Sequence, residues 1–313
     1  MDLLGIDEAE VYEYRRQKEV KLASYTRQIR EQDDAHKIPV RTQVGYVDLY
    51  LYRPATDPCA VVFNFHGGGF VLGYWELDAP YCRMLADRAQ AAVVNVDYKV
   101  APEYKFPLPQ ETTYEALTWF AAHAGEFGLA GLPIVVGGSS AGGCLTAGIA
   151  QMDELRGRAL NIAGIYMNYP ALKQQLAERP ALDASKAIAT SRLAQYISWA
   201  FDSLDQLDDP LASPLLSEGV RYPATLMNIA GFDSLREEAE AFARKLEAAG
   251  TPVDYHCFEG CMHGFTHRDL KEFDPQASEL AWERIVRFIR ERAAAAIAAG
   301  TNATDCLLYT SDA

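Results

Sequence analysis

The feature that most constrains the fold is an apolar run that ends in a glycine-rich turn, residues 134–143. Small residues after the turn begin a helical pattern, so the turn connects a strand to a helix. The pattern G-x-S-x-G in this setting is typical of a nucleophile elbow, which exposes a serine hydroxyl above the sheet. Glycine stands on both sides of Ser140, at Gly138 and Gly142, so we predict that Ser140 and not Ser139 is the nucleophile. An ordinary glycine-rich turn is the alternative.

Apolar runs alternate with helical patterns along most of the chain. Five short runs fit strands that are covered on both faces, as in a parallel sheet: 60–65, 92–96, 132–136, 162–167 and 225–229. Helical patterns follow at 79–89, 110–124, 141–154, 234–249 and 275–298. Residues 40–53 alternate loosely instead, which predicts antiparallel edge strands. Together these patterns predict a mostly parallel, doubly wound α/β sheet of about eight strands, in a single domain over residues 1–300.

Three segments fall outside the alternation. Residues 172–208 have a helical pattern between two strands, so we interpret them as an inserted cap. The charged helix predicted at 7–33 could cover an active site or pack on the surface. Residues 306–313 match the peptide that a sequencing-library transposon end encodes when it is read in frame. We therefore interpret residues 301–313 as a tail outside the fold and as a sequencing artefact.

The composition argues against several classes of protein. The 313 residues carry a formal net charge of −14, which disfavours nucleic acid and anionic membranes as partners. No stretch approaches the roughly 20 apolar residues of a membrane span, and no signal peptide is visible. The six cysteines are scattered and are expected to be reduced thiols. We expect a cytoplasmic protein, which could form a homo-oligomer.

A serine nucleophile requires a base and an acid that orients the base. Asp233 ends the strand pattern after the insertion, and His263 lies in the loop after the last strand, which gives the chain order Ser…Asp…His. We predict that Asp233 is the acid and His263 is the base. His256 lies inside a strand and His267 lies too near the following segment. Glu259 is a rival acid, but its closeness in sequence to His263 makes the required geometry awkward.

A second glycine-rich segment, His66-Gly67-Gly68-Gly69-Phe70, follows the run 60–65. Consecutive glycines allow backbone N–H groups to approach a substrate oxygen without side chains in the way. An HGGG segment of this kind is typical of the oxyanion hole of lipases and esterases, in which the residue after the nucleophile, here Ala141, supplies another N–H. A flexible turn or a phosphate loop is the alternative, although the Gly-Lys-Ser/Thr of a Walker loop is absent.

These motifs resemble, in order and spacing, those of the hormone-sensitive-lipase-like esterase family of α/β hydrolases. The matching segments are 66–70, 97–107, 138–143, 231–235 and 262–265. The resemblance implies the α/β-hydrolase fold with a helical cap that is formed by residues 1–38 and 172–208. It also implies an oxyanion hole built from Gly68, Gly69 and Ala141. Many members have Asp where this chain has Ser139, which leaves the subfamily and the physiological ester open.

We therefore predict a serine carboxylesterase that hydrolyses short-to-medium acyl esters of small molecules through an acyl-enzyme, without a metal or an organic cofactor. Aromatic residues are expected to limit the acyl pocket: Phe70, Trp75, Tyr196, Trp199 and Phe201, with Tyr14 and Tyr25 of the N-terminal segment closing over them. A serine peptidase of the prolyl-oligopeptidase type is one alternative, but the segment before the first core strand is too short for its extra domain. A ligand receptor on the same fold is another, and such a receptor would be expected to lack His263.

Overall fold

A computed structural model describes residues 8–308, with side chains from residue 9 to residue 300. The strands in this part of the chain are β1 (His36–Thr42), β2 (Gly45–Tyr52), β3 (Val61–Phe65), β4 (Ala92–Asp97), β5 (Ile134–Ser139), β6 (Ile162–Asn168), β7 (Thr225–Ala230) and β8 (Val253–Phe258). They form one sheet in the order β1-β2-β4-β3-β5-β6-β7-β8. Strand β2 is antiparallel to both of its neighbours, and the other pairings are parallel. The predicted mostly parallel sheet of eight strands is confirmed.

Helices cover both faces of the sheet. Within the described residues the α-helices are α1 (Glu8–Gln32), α2 (Trp75–Ala89), α3 (Leu108–His123), α4 (Ala141–Leu155), α5 (Thr190–Ala200), α6 (Arg236–Ala248) and α7 (Pro275–Leu308). One apolar cluster joins the sheet to α3, α4 and α6, and a second joins it to α2 and α7. Successive side chains of a strand point to opposite faces of the sheet. In β3, Phe63 and Phe65 therefore pack in the first cluster, and Val62 packs in the second. No helix in the described part of the chain has the length and apolar character that a membrane crossing requires.

The two predicted cap segments differ from their expected form. Residues 1–7 lie outside the described residues, and strand β1 begins at His36, so residues 36–38 pair with the sheet. Residues 172–189 are mostly irregular and not helical, which corrects the prediction for this part of 172–208. Pro180 disfavours a helical conformation at the preceding Arg179, and the segment is held by tertiary contacts instead: Glu238 of α6 accepts the backbone N–H groups of Leu172 and Lys173 and pairs with Arg179.

The predicted C-terminal tail lies partly outside the described residues. The backbone of α7 continues to Leu308, whereas the side chains from residue 301 onwards and all of 309–313 lie outside the described residues. The interpretation of residues 301–313 as a tail therefore stays a prediction.

Candidate active site

Ser140 lies at the junction between β5 and α4. Its backbone has φ 57° and ψ −117°, a conformation that is costly for any residue with a Cβ atom and is held here by the surrounding structure. The flanking glycines allow α4 to pass close to the end of β3. A Cβ at Gly138 would lie 2.5 Å from the carbonyl oxygen of Phe65, and one at Gly142 would collide with the same oxygen. The elbow therefore requires glycine on both sides of the serine.

The three residues predicted to act together lie in one hydrogen-bonded chain. The Oγ atom of Ser140 lies 2.9 Å from Nε2 of His263, and Nδ1 of His263 lies 2.6 Å from Oδ2 of Asp233. The backbone N–H of Leu235 donates to the other oxygen of Asp233 at 3.1 Å. The Asp233 side chain is only 1% exposed. With Nδ1 donating to this carboxylate, Nε2 is left as the acceptor for the serine hydroxyl.

The rival residues contact other partners. Glu259 forms an exposed ion pair with Arg236, which lowers the pKa of Glu259. His256 packs edge-on against the Phe258 ring. The buried hydroxyl of Ser139 accepts a hydrogen bond from Asn168 at 3.4 Å. These contacts leave the chain of Ser140, His263 and Asp233 as the triad-like arrangement.

The glycine-rich loop after β3 borders the same cavity as the serine. Gly68 has φ +121° and Gly69 has φ +64°, so both occupy a region of backbone space that favours glycine. Ala141 is the first residue of α4, whose N–H has no acceptor within the helix. Among the described residues we find no acceptor for the N–H groups of Gly68, Gly69 and Ala141. These donors are therefore available to a substrate oxygen.

His66 and Gly67 shape this loop from beneath. The His66 ring is buried, stacks on Tyr98 with centroids 4.2 Å apart, and donates from Nδ1 to the Gly67 carbonyl at 2.7 Å. Burial lowers the pKa of His66, so the ring is neutral. The Tyr98 hydroxyl in turn donates to the His66 carbonyl at 2.9 Å. These contacts of His66 hold the loop in place. Glu103, in the 97–107 segment, pairs with Arg15 and not with the candidate triad.

Sequence reasoning missed a buried polar chain behind the site. Nε2 of His267 lies 3.1 Å from Oδ1 of Asp78, and its Nδ1 lies 2.9 Å from the Tyr169 hydroxyl. Asn64 donates to the other oxygen of Asp78 at 2.7 Å. The Tyr169 ring meets the His263 ring edge-on, with centroids 4.8 Å apart. No local motif links these residues, because they come from four separate parts of the chain.

The Asp78–His267 pair predicts a pH dependence of stability. Burial lowers the pKa of His267, but the charge and hydrogen bond of Asp78 outweigh it, so the pKa rises above its usual 6.5. Such a group stabilises the fold fully below its unfolded pKa, and this contribution is lost as pH rises through the folded pKa. The variant His267→Gln keeps a donor for Asp78 but cannot titrate. Urea unfolding should show that the wild-type protein exceeds this variant in free energy of unfolding by less and less as the pH rises from about 6 to about 9. A pH-independent difference would contradict the assignment.

A cavity of about 480 Å³ opens at the serine, a size in the usual range for small-molecule sites. Of the aromatic residues predicted to limit the pocket, Tyr14, Phe70, Tyr196 and Phe201 line the cavity and Tyr25 does not; Tyr74 and Tyr169 line it as well. The prediction for Trp75 is wrong, because its ring stacks on Tyr50 with centroids 3.7 Å apart, on the other face of the sheet. Trp199 is buried and supports the lining from behind, 5.4 Å from the Tyr14 ring.

Comparison with known proteins gives consistent results. A family model described as alpha/beta hydrolase fold matches residues 62–267. The chain is 32% identical to the carboxylic ester hydrolase LipN of Mycobacterium tuberculosis over 74% of its own length and 64% of LipN, which is less than two thirds of that relative. It is also 32% identical to the esterase LipI of the same organism, over 74% of this chain and 78% of LipI.

A solved structure agrees over nearly the whole chain. That of EstE1, a thermostable carboxylesterase cloned from a metagenomic library, superposes with a TM-score of 0.80 at 29% identity and covers 90% of this chain and 97% of EstE1. The family match and the shared fold extend over the elbow, the glycine-rich loop and the candidate triad. The chain therefore belongs to the hormone-sensitive-lipase-like esterase family of α/β hydrolases.

Proposed function

We propose that the protein is a serine carboxylic-ester hydrolase that acts on short-to-medium acyl esters through an acyl-enzyme. The observation that carries the proposal is the hydrogen-bonded chain of Ser140, His263 and Asp233 beside backbone N–H groups that have no acceptor in the described part of the protein. The names of the relatives support it, since LipN, LipI and EstE1 are described as ester hydrolases. The substrate class is therefore small-molecule esters.

In the first half of the reaction, His263 takes the proton of the Ser140 hydroxyl as Oγ attacks the ester carbonyl carbon. The negative charge that develops on the carbonyl oxygen would be bound by the N–H groups of Gly68, Gly69 and Ala141, each worth about 2.7–4 kcal/mol. The carbonyl then re-forms as the bond between the acyl carbon and the alcohol oxygen breaks, His263 gives its proton to that oxygen, and the alcohol leaves. Asp233 keeps the imidazole in the required tautomer and stabilises its cationic form.

In the second half, a water molecule replaces the alcohol. His263 takes a proton from the water, and the resulting hydroxide attacks the acyl carbon on Ser140. The same N–H groups bind the second oxyanion. The bond to Oγ breaks, the serine regains its proton from His263, and the carboxylic acid leaves. Ser140, His263 and Asp233 thus each take part twice, once in acylation and once in deacylation.

The aromatic lining predicts the preferred acyl length. Tyr196 lies against Gly69 and is hydrogen-bonded to Tyr14, with 2.6 Å between the two hydroxyl oxygens, so two cap elements close the cavity from above. Each methylene adds about 0.8 kcal/mol of burial only while it fits inside. We expect kcat/KM on p-nitrophenyl esters to rise from acetyl to about butyryl or hexanoyl, and to fall from decanoyl onwards. A maximum at dodecanoyl or longer would contradict the pocket size, and hydrolysis of none of the esters would contradict the function.

A further inference from the structure

The charges around the cavity indicate more about the substrate than its size. Although the chain has a net charge of −14, several cationic side chains line this one cavity: Lys18, Arg179, Lys186, Arg192 and Lys271. Three of them have carboxylate partners. These pairs are Arg179 with Glu238, Lys186 with Asp183, and Lys271 with Glu272. The remaining two cations distinguish the site.

Lys18 and Arg192 have no carboxylate partner among the described residues, and both are partly buried. They come from different elements, Lys18 from α1 and Arg192 from α5, yet they approach the same ring. Nζ of Lys18 lies 5.4 Å from the Tyr14 centroid, and the guanidinium carbon of Arg192 lies 4.7 Å from it. The aromatic ring offsets a part of their mutual repulsion, and a bound anion would offset the rest.

The other carboxylates of the cavity do not neutralise this pair. Asp78 is hydrogen-bonded to His267, and neither Asp78 nor Asp269 forms an ion pair with Lys18 or Arg192 among the described residues. Asp269 lies within electrostatic range of His267 and of Lys21, a lysine other than the two in question. Lys18 and Arg192 therefore outnumber Asp269 among the cavity's charged groups without an ion pair, and this excess positive charge is carried by α1 and α5.

The position of the cations relates them to the reacting ester. Tyr196 covers the oxyanion loop, because a Cβ at Gly69 would lie 2.6 Å from its ring, and Tyr14 is hydrogen-bonded to Tyr196. Lys18 and Arg192 both contact the ring of Tyr14, the tyrosine of this pair that is separated from Gly69 by Tyr196. An anionic group that reaches them would be separated from the ester carbonyl by several bonds. A charge at that distance leaves the carbonyl free to enter the oxyanion hole.

Resting on the proposed esterase function, we propose that the preferred substrates are esters that carry a carboxylate or a similar anionic group away from the scissile bond, bound by Lys18 and Arg192. The anion could belong to the acyl part or to the alcohol part. Both sources present the same chemistry to the two cations, so the experiment has one arm for each.

The test compares matched pairs of substrates. Monoethyl adipate carries a carboxylate on the acyl side, and the ethyl ester of adipic acid monoamide is its neutral counterpart. The carboxylate of 4-(butanoyloxy)butanoic acid and the corresponding amide form the alcohol-side pair. We expect the carboxylate to exceed the amide in kcat/KM by about ten-fold in at least one pair, and a rise in NaCl from about 0.02 M to about 0.5 M to reduce this ratio. The responding pair identifies the end of the ester that carries the anion.

Variants locate the effect. Lys18→Met and Arg192→Met should each lower the carboxylate-to-amide ratio by about three-fold, and the double variant should bring it close to one. Arg16→Met is the matched control, because Arg16 lies on the same helix, is 65% exposed, and pairs with Glu13 outside the cavity. This control should leave the ratio unchanged. The salt titration of the wild-type protein keeps the test decisive if a variant fails to fold.

Two failures can be told apart. A ratio at or below one in both pairs, with the neutral amides still hydrolysed, would overturn the anionic substrate and leave the esterase function standing. The absence of hydrolysis of every ester by a folded protein would overturn the esterase function itself.

Discussion

Replacing Ser140 by alanine is expected to reduce kcat for ester hydrolysis by about 10⁶-fold, because no other described side chain lies within hydrogen-bond distance of Nε2 of His263. Removal of a triad nucleophile loses the covalent route, while the oxyanion donors and substrate binding remain. The activity left over should therefore be small but above that of water. Steady-state kinetics on p-nitrophenyl butyrate would measure the loss.

Ser139→Ala is the matched control for this prediction. The Ser139 hydroxyl is buried, accepts a long hydrogen bond of 3.4 Å from Asn168 and contacts Tyr169, so its removal should change kcat by less than about ten-fold. Circular dichroism should show both variants folded. Loss of activity in Ser139→Ala with retention in Ser140→Ala would reverse the assignment of the elbow.

Replacing Gly142 by alanine is expected to lower the free energy of unfolding by about 3 kcal/mol or more. The added Cβ would collide with the Phe65 carbonyl oxygen and lie 2.6 Å from that of His66. Both obstacles are backbone atoms at the end of a central strand, so they cannot rotate away as a side chain could. Urea unfolding monitored by tryptophan fluorescence would give the change in stability.

Gly148→Ala is the control, because it lies on the same helix and has room for a methyl group. Its Cβ would lie 3.5 Å from the Leu211 carbonyl oxygen, an ordinary contact distance. Alanine is a better helix former than glycine, so this variant should raise the free energy of unfolding by roughly 0.5–1 kcal/mol. Equal stability of the two variants would show that the elbow does not depend on close backbone approach at Gly142.

The parts of the fold that were predictable depend on local patterns. Continuous apolar runs such as 60–65 indicate strands that are buried on both faces, and these strands follow one another at helix-length intervals. The elbow was also predictable, since its glycines at 138 and 142 are required by a backbone geometry that is local to one turn. The order of motifs then placed Asp233 and His263 on the same edge of the sheet.

The parts that were not predictable depend on contacts between distant segments. Residues 172–189 have apolar and polar residues compatible with a helix, but the buried Glu238 side chain binds the backbone where this segment begins. Asp78 and His267 are 189 residues apart in the chain, and neither belongs to a motif. Trp75 closely follows the glycine-rich loop of residues 66–70, yet α2 begins there and turns the ring towards Tyr50.

The site of covalent labelling by an organophosphate such as diethyl p-nitrophenyl phosphate tests most directly whether Ser140 is the nucleophile. After inactivation, peptide mass spectrometry should find one diethylphosphoryl group on Ser140 in the wild-type protein. The variant His263→Ala should react much more slowly, because the Ser140 hydroxyl would lose the base that lies 2.9 Å away. Label on Ser139, or labelling of Ser140 at the same rate without His263, would contradict the proposed role of the chain of Ser140, His263 and Asp233.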